Sequence, residues 1–454
     1  MTRKPPREPL IAIIGATGTG KSQLAVELAK RYNGEVVNGD AMQLYAGLPI
    51  ITNKITVEEQ QGVPHHLLGC IGQEEPTWVV GTFVKKAVQI IGEIRARGRL
   101  PILVGGTHYY TQSLLFKEGL AETHAESGDE GAEKEAQSPD IAYPLLEQST
   151  EVLLAELQRV DPVMAERWHP NDRRKIRRSL EIYLKTGRKA SEVYAEQRQR
   201  KTGESANLDV KENHGGMRFP TLLFWVHAEQ EILRERLHNR VDKMLDAGLL
   251  DEVRMLNAYA DADAAAGRPV DDSRGIWVSI GYKQFKDYVY ALQAGVIGEK
   301  ELQRLKSQAL GATKAATTQY AKRQLRWIQI KLFDSLPSWD KLYLLDASNV
   351  AAFDANVVEP AVSLTSAFLN AELMPEPSAM SQVAADMLQL KRGKETSEDW
   401  SKQHCEACDV TCVIEDQWRK HVGSKAHKKA VSKRRQRENE ALTNANAVSP
   451  LKED

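Results

Sequence analysis

Apolar runs and amphipathic segments alternate in the first hundred residues of the chain. Leu10–Ile14 is a continuous apolar run typical of a buried strand, and Lys21–Tyr32 follows with apolar residues at helical spacing. Glu35–Asn38 and Leu100–Val104 predict two further strands, and Phe83–Arg97 predicts an amphipathic helix between them. This β-α-β-α-β order predicts a parallel sheet with helices on its faces.

In the middle of the chain the alternation of predicted strands and helices gives way to helices alone, and it then resumes. Val152–Arg159 and Arg174–Thr186 have helical spacing, which predicts a small α-helical subdomain. Thr221–Val226 then predicts a strand and Glu229–Leu245 a long helix. The helical subdomain is therefore expected to be inserted between elements of the sheet. Helical spacing continues through Gly281–Gly295 and Lys300–Lys331.

Polar segments divide these elements into domains. Residues 117–141 are rich in Glu, Ala, Gly and Ser and cannot bury enough apolar surface to offset their chain entropy. The periodic spacing of apolar residues weakens after residue 346, and a short segment with Cys and His begins near residue 403. The expected division is a core in two parts (9–116 and 217–346), a disordered acidic insertion (117–141), the inserted helical subdomain (142–216), a linker (347–399), a Cys/His finger with a basic helix (400–440) and a disordered tail (441–454).

Charge and composition narrow the class of protein. The 61 basic and 62 acidic residues give a net charge of −1, so the whole-chain balance does not indicate a polyanionic partner. Local clusters change this picture, because basic residues concentrate near 172–178 and 419–437. No apolar run is as long as a membrane-spanning helix, which needs about 20 residues. The N-terminal residues lack the apolar segment of a secretory signal. We expect a cytoplasmic protein without a membrane partner, and mitochondrial and nuclear pools stay open.

One glycine-rich segment carries specific chemistry. The run Gly15-Ala16-Thr17-Gly18-Thr19-Gly20-Lys21-Ser22 follows a predicted strand and begins a predicted helix, which is the context of a phosphate-binding loop. Its glycines let backbone N–H groups converge on a phosphate, Lys21 adds a positive charge, and Ser22 can ligate Mg²⁺. The alternative is an ordinary glycine-rich turn. The motif predicts a phosphate ligand without distinguishing ATP from another diphosphate.

Asp40 is the acidic residue that stands at a strand end close behind this loop. It follows the strand predicted at Glu35–Asn38, and Gln43 lies three residues further along. A carboxylate in such a loop can accept a proton, and the nearby amide can read the edge of a base. The alternative is an Asp that only stabilises a turn or a helix N-terminus.

A series of short segments resembles the tRNA dimethylallyltransferases, also called tRNA isopentenyltransferases, and in particular their eukaryotic branch with a C-terminal zinc finger. The series covers roughly residues 9–330 in order, apart from the acidic insertion. Each segment alone has low specificity, whereas the ordered series is highly specific. The segments are Gly15–Ser22, Asp40–Tyr45, Pro49–Lys54, Val63–His66, Gly105–Tyr110, His169–Asp172, Arg178–Glu181, Arg240–Met244, Ile280–Tyr282 and Gln319–Gln324.

The resemblance implies an α/β fold with a P-loop NTPase-like parallel sheet and a prenyl-transfer reaction. The family transfers a dimethylallyl group from dimethylallyl diphosphate to N6 of the adenosine just 3′ of the anticodon, in tRNAs that read codons beginning with U. The implied partners are therefore tRNA and this donor, and we expect a monomer. The phosphate loop would bind the donor diphosphate together with Mg²⁺ at Ser22.

The same resemblance implies roles for individual residues. Asp40 occupies the general-base position, and Thr19, Lys21 and Arg240 match positions that stabilise the leaving diphosphate. The residues expected to contact tRNA are Asp40, Gln43, Thr107, Arg174, Lys175, Arg177 and Arg178. The last four belong to a run of five cations in six positions with almost no acidic compensation before Glu181. The alternative for that run is a solvated helix face.

Three positions depart from the usual family pattern. Ala41 stands where Ser is common, Lys175 where Arg is usual, and Thr318 where Arg is frequent. The hydrogen bond of that Ser is absent, and a bidentate contact of the Arg at position 175 is lost. None of the three removes the base, the loop or Arg240, so we expect activity to survive.

The C-terminal segment contains a predicted metal site. Cys405-x2-Cys408-x12-His421-x5-His427 has the spacing of a Cys₂His₂ zinc finger, which would hold a structural Zn²⁺. Cys412 is surplus and is not expected to be a ligand. The basic residues that follow, from 428 to 437, would add salt-dependent affinity for tRNA or act as a nuclear localisation signal. A solvated helix is the alternative.

Three other functions are compatible with the same sequence features. An adenylate isopentenyltransferase would modify free nucleotides, although the basic helix and the finger favour a macromolecular acceptor. A P-loop kinase of a small metabolite would consume ATP without prenyl transfer. A non-catalytic RNA-binding protein would keep the fold and would not depend on Asp40.

Overall fold

The α/β class is confirmed by a computed structural model, which describes residues 4–72, 75, 77–116, 143–201, 216–268, 270–272, 274–336, 338–392 and 400–447. Six parallel strands of the described residues form one sheet in the order β3-β2-β4-β1-β5-β6. The strands are β1 (Leu10–Ile14), β2 (Gly34–Asn38), β3 (His65–His66), β4 (Leu100–Val104), β5 (Thr221–His227) and β6 (Leu342–Asp346).

Helices cover both faces of this sheet. The helices of the core are α1 (Lys21–Arg31), α2 (Val57–Gln60), α3 (Val80–Ala96), α4 (His108–Leu115), α9 (Gln230–Asp246), α10 (Leu249–Ala265), α11 (Tyr282–Ala294), α12 (Glu299–Trp327), α13 (Phe333–Ser335), α14 (Glu359–Leu369) and α15 (Gln382–Arg392). The strand β1 shows why two cores form, since its side chains alternate between them. Leu10 and Ile14 join the core beneath α3, whereas Ile11 and Ile13 join the core beneath α1.

Residues 347–392 form helices of the α/β core, where the sequence predicted a linker. A π-helix at Asp354–Val358 leads into α14, and Phe353, Val357 and Leu364 are buried against the face covered by α1. The apolar residues here are interrupted by Pro and small polar residues, so their periodicity was too weak to predict helices. The strand β6, the helix α10 and the short strand β3 were likewise not predicted.

A second compact unit contains the inserted helices and the C-terminal finger. Its helices are α5 (Thr150–Val160), α6 (Pro162–Arg167), α7 (Arg173–Thr186) and α8 (Ala190–Lys201), and its finger consists of β7 (Trp400–Cys405), β8 (Val410–Ile414), α16 (Glu415–Gly423) and α17 (Lys425–Ala447). Leu153, Leu157, Ile176 and Leu180 are fully buried at the centre of the helices. Lys402 Nζ of the finger lies 3.5 Å from the carbonyl oxygen of Ala165, so two predicted domains form one unit.

Two segments that the sequence predicts to be disordered either differ from that prediction or lie outside the described residues. The helix α17 continues to Ala447, so residues 441–447 are helical and are not a disordered tail. The predicted acidic insertion at 117–141 and residues 448–454 lie outside the described residues. Among the helices that the structure describes, none is long and apolar enough to span a membrane.

Candidate active site

The predicted phosphate loop joins the carboxyl end of β1 to the N-terminus of α1. Gly15 has φ +147°, and a Cβ there would lie 2.2 Å from the carbonyl oxygen of Val226. Gly20 has φ +91°, and its Cβ would lie 2.5 Å from the ring of Phe353. Both the backbone conformation and the close neighbours therefore require glycine at these positions. The helix N-terminus that follows adds positive potential for a bound anion.

Lys21 and Thr19 are turned back toward the loop. Lys21 Nζ donates to the carbonyl oxygen of Ala16 at 2.7 Å, and Thr19 Oγ1 donates to the same oxygen at 3.0 Å. Burial lowers the pKa of Lys21 to about 8; the negative charge of Asp40 opposes this shift and the positive charge of Arg240 adds to it. Ser22 lies in the first turn of α1 and is exposed.

Arg240 brings a second cation to the loop from the helix α9. Its guanidinium donates to Thr17 Oγ1 at 3.0 Å. Its Nε is buried and has no hydrogen-bond partner among the described residues. Burial lowers the pKa of Arg240 to about 10, against the attraction of Asp40. A buried guanidinium with an unsatisfied donor beside a glycine loop is suited to an anion with several oxygens, such as a diphosphate.

Asp40 follows β2 and lies close enough to Lys21 and Arg240 for their charges to act on it. Its Oδ1 accepts a hydrogen bond from the Met42 N–H at 3.0 Å. Asn38 fixes the turn, since its side chain accepts from the Asp40 N–H and donates to the Asp40 carbonyl, both at 3.1 Å. Burial raises the pKa of Asp40, while the Met42 hydrogen bond and then Lys21 act in the opposite direction. A carboxylate with a raised pKa is a better proton acceptor than an ordinary aspartate.

The segment that follows β4 packs directly against this carboxylate. A Cβ at Gly106 would lie 2.2 Å from Asp40 Oδ2, so only glycine allows this approach. Thr107 Oγ1 accepts from the Ala41 N–H at 3.0 Å, which ties the segment to the residue after the carboxylate. The structure thus brings Thr107, a predicted RNA contact, to the side of Asp40.

His108, the next residue in the chain, is buried in the first turn of α4. Both of its ring nitrogens are without a hydrogen-bond partner among the described residues. Burial, and then the nearby charge of Lys21, lower the pKa of His108 to about 3, so the imidazole is neutral at physiological pH.

Gln43 is held by the loop of residues 49–54, for which the sequence predicted no role. Its Nε2 donates to the carbonyl oxygen of Asn53 at 3.0 Å. Glu252 of α10, which is 6% exposed, accepts from the Ile50 and Ile51 N–H groups at 2.9 and 2.7 Å. No local motif marks this glutamate, because its partners lie about two hundred residues earlier.

Gln324 is a second residue whose contacts sequence reasoning missed. It ends the segment Gln319–Gln324, which the resemblance singled out without a role. The structure places its side-chain amide between the phosphate loop and Gly106, with hydrogen bonds to the Thr17 N–H and the Gly106 carbonyl. The position of Gln324 on a helix, taken alone, is typical of a residue that only packs in the core.

The predicted basic run lies on α7 in the second unit, and part of it is paired. Lys175 Nζ lies 3.3 Å from Asp172 and 5.0 Å from the centre of the Trp168 ring. Arg177 lies 3.3 Å from Glu147, and Arg178 lies 3.1 Å from Glu181. The run is therefore more compensated than its own sequence indicates, because Asp172 and Glu147, which precede it, pair with two of its cations. Arg174 belongs to the same helix.

The predicted metal ligands come together in the finger. Among the described residues, Cys405, Cys408, His421 and His427 offer ligand atoms that all lie within 4.8 Å of one another. His427 Nδ1 is 3.5 and 3.6 Å from the two sulfurs and 3.2 Å from His421 Nε2. Tetrahedral Zn²⁺ with ordinary bond lengths needs N···S separations of about 3.6 Å and N···N separations of about 3.3 Å. The residues fit zinc, and Cys412 is buried outside the group.

Comparisons with known proteins point to one family. The IPP transferase family model matches residues 43–331, and the isopentenyl transferase model matches residues 9–68. A tRNA dimethylallyltransferase of Schizosaccharomyces pombe is 36% identical over 447 residues, covering 95% of this chain and 96% of that protein. A human tRNA dimethylallyltransferase is 34% identical over 446 residues, covering 97% and 90%. A crystal structure of a eukaryotic dimethylallyltransferase acting on tRNA is similar with a TM-score of 0.75 and 31% identity, covering 96% of this chain and 100% of that one.

Proposed function

The chain belongs to the IPP transferase family, and from this membership we propose that it is a tRNA dimethylallyltransferase. It transfers a dimethylallyl group from dimethylallyl diphosphate to N6 of the adenosine just 3′ of the anticodon, in tRNAs that read codons beginning with U. The observation that carries the proposal is the proximity of the buried carboxylate of Asp40 to the two cations of a phosphate loop, Lys21 and Arg240.

The phosphate loop binds the donor. Backbone N–H groups of Gly15–Ser22 surround the diphosphate, except that of Thr17, which donates to Gln324, and Lys21 and Arg240 supply positive charge. The buried, unsatisfied Arg240 Nε supports this assignment. Thr19 donates to the loop and thereby supports its shape beside the leaving group. Ser22 would hold Mg²⁺, which when bound supplies further positive charge to the departing diphosphate.

Asp40 acts as the general base. The lone pair of N6 is delocalised into the adenine ring, so this nitrogen is a poor nucleophile. As N6 bonds to the allylic carbon, the carbon–oxygen bond to the diphosphate breaks and the diphosphate leaves with the electron pair. Asp40 takes the N6 proton. The cations of the loop stabilise the charge that develops on the leaving group.

Two regions contact the tRNA. In the core, Gln43 and Thr107 contact the target nucleotide, and both lie on loops that hydrogen bonds hold near Asp40. The target adenosine leaves its base stack to reach the carboxylate of Asp40. In the second unit, Arg174, Lys175, Arg177 and Arg178 contact backbone phosphates. The surface ion pairs seen for three of them are weak enough to exchange for phosphate contacts.

The finger binds a structural Zn²⁺ through Cys405, Cys408, His421 and His427. The separations between His427 Nδ1 and the other three ligand atoms support this assignment, because they match those of a tetrahedral zinc site. The basic residues of α17 then add salt-dependent affinity for tRNA.

Radiolabelled dimethylallyl diphosphate offered with tRNA and with AMP in parallel tests the reaction. Label is expected in N6-isopentenyladenosine of tRNA and not in AMP. Preference for AMP would instead identify an adenylate isopentenyltransferase, and ATP consumption without prenyl transfer would identify a kinase.

Substitution of the base tests the mechanism. Asp40→Ala is expected to lower transfer by about 10²–10⁴-fold, the usual contribution of a general base, and to leave tRNA binding near normal. Asp246→Ala, at an exposed aspartate at the end of α9, is the matched control and should retain full activity. An unchanged modification level in the Asp40→Ala protein would exclude catalysis by this site.

A further inference from the structure

Gln324 makes two hydrogen bonds that reach two different loops of the active site. Its Oε1 accepts from the Thr17 N–H at 2.8 Å, and its Nε2 donates to the Gly106 carbonyl oxygen at 2.7 Å. A backbone N–H can only donate and a carbonyl can only accept, so these partners fix the orientation of the amide. The side chain is 4% exposed, and water does not readily replace either bond.

Each end of this amide leads directly to a group of the reaction. Thr17 belongs to the phosphate loop, and its hydroxyl accepts a hydrogen bond from Arg240. Gly106 packs against Asp40 Oδ2, and Thr107 beside it bonds to the backbone of the residue that follows Asp40. One side chain therefore connects the diphosphate side of the site to the side of the general base.

We propose that Gln324 is a positioning residue that sets the separation between the donor diphosphate and Asp40. This inference rests on the proposed function. Gln324 acts through Thr17 and Gly106, without bonding to either substrate. The allylic carbon must lie between the leaving diphosphate and the N6 atom whose proton Asp40 accepts, so a change in this separation misaligns both bonds of the transfer. A misplacement of about 1 Å can lower a rate by about 100-fold.

The geometry explains why the residue is glutamine. A methionine has a similar length and would fill the same space, but it would leave a buried N–H and a buried carbonyl without partners. A glutamate could accept from the Thr17 N–H, but it could donate to the Gly106 carbonyl only when protonated. Tyr320, one turn earlier on α12, also donates to the Gly106 carbonyl, at the longer distance of 3.4 Å. This second donor holds Gly106 to the helix without reaching Thr17.

Three variants of the full-length protein test the proposal in single-turnover and steady-state assays with dimethylallyl diphosphate and tRNA. Gln324→Met is expected to lower kcat by about 30–100-fold and to change KM for either substrate by less than about threefold. Gln324→Glu is expected to be slow at pH 8, and its single-turnover rate relative to the unaltered enzyme should rise as the pH falls to 6. Taking this ratio at each pH removes the pH dependence that the two enzymes share. Gln308→Met, at an exposed glutamine of the same helix, should leave all values unchanged.

Two results would overturn the proposal. One is a Gln324→Met enzyme whose kcat stays within about threefold of the unaltered protein. The other is a Gln324→Glu enzyme whose relative rate does not depend on pH, and this variant decides the matter if Gln324→Met does not fold. Absence of transfer by the unaltered protein would be a different failure, since it would overturn the proposed function itself.

Discussion

Replacement of Gly106 by alanine directly perturbs Asp40, the proposed general base. The residue lies outside the glycines with positive φ, so its backbone conformation is accessible to alanine. Its new Cβ, however, would lie 2.2 Å from Asp40 Oδ2 and 3.2 Å from the carboxyl carbon. The substitution therefore moves the carboxylate and leaves the loop otherwise intact.

The size of the displacement follows from this distance. Carbon and oxygen that are not bonded rarely approach closer than about 3.2 Å, so the carboxylate has to move by about 1 Å. A shift of this size can lower the rate of a positioned reaction by about 100-fold. Donor binding should change much less, because the three atoms nearest to the new methyl group belong to Asp40 and Gln324, and none belongs to the phosphate loop or Arg240.

The measurement is the single-turnover rate of dimethylallyl transfer at saturating donor and tRNA, with KM for the donor as a second readout. We expect a rate reduced by about 30–100-fold for Gly106→Ala and a donor KM within about threefold of the original. Gly92→Ala on α3 is the control, because a Cβ there meets no atom within 4 Å. A Gly106→Ala enzyme with an unreduced rate would refute the assignment of Asp40 as the positioned base.

Three further predictions address the donor site, the finger and the loop that carries Gln43. Burial lowers the pKa of Lys21 to about 8, so the side chain loses its charge above that pH. KM for the donor should therefore stay constant between pH 6 and 7 and rise above pH 8. A KM that stays constant up to pH 10 would contradict this prediction. Cys408→Ser removes one metal ligand and should weaken tRNA affinity in filter binding while transfer at saturating tRNA continues; loss of chemistry at saturation would contradict this division. Glu252→Leu leaves the Ile50 and Ile51 N–H groups without their acceptor, at a cost of about 1–3 kcal/mol for the buried Ile51 N–H. It should raise KM for tRNA more than KM for the donor, with Glu252→Gln intermediate, and equal effects on both constants would refute the link to Gln43.

Local patterns predicted the parts of the site that are contiguous in sequence. The strand, glycines and helix of residues 10–31 are neighbours in the chain, and their periodicity and composition are enough to predict the phosphate loop. The same holds for the spacing of the four metal ligands. Asp40 was marked as a possible proton acceptor by its position at a strand end, whereas the role of Arg240 came from the resemblance, since no local pattern connects residues two hundred positions apart.

Contacts between distant segments could not be predicted in this way. Gln324 bonds to residues 307 and 218 positions earlier, and Glu252 bonds to residues about 200 positions earlier. Each lies on a helix where a buried polar residue has no periodic signature of its own. The helices after residue 346 were missed for a related reason, because their burial depends on the sheet that they cover and not on a strong apolar repeat.

The second unit has a consequence for the order in which the protein forms during synthesis. Its helices at 143–201 and its finger at 400–447 are separated in the chain by most of the second half of the α/β core. A ribosome adds about 5–20 residues per second, so the helices leave it roughly 10–40 s before their finger partner. The sheet can close around β5 and β6 in that interval. The nascent protein therefore completes its α/β core first, and its second unit becomes whole only once the finger has emerged.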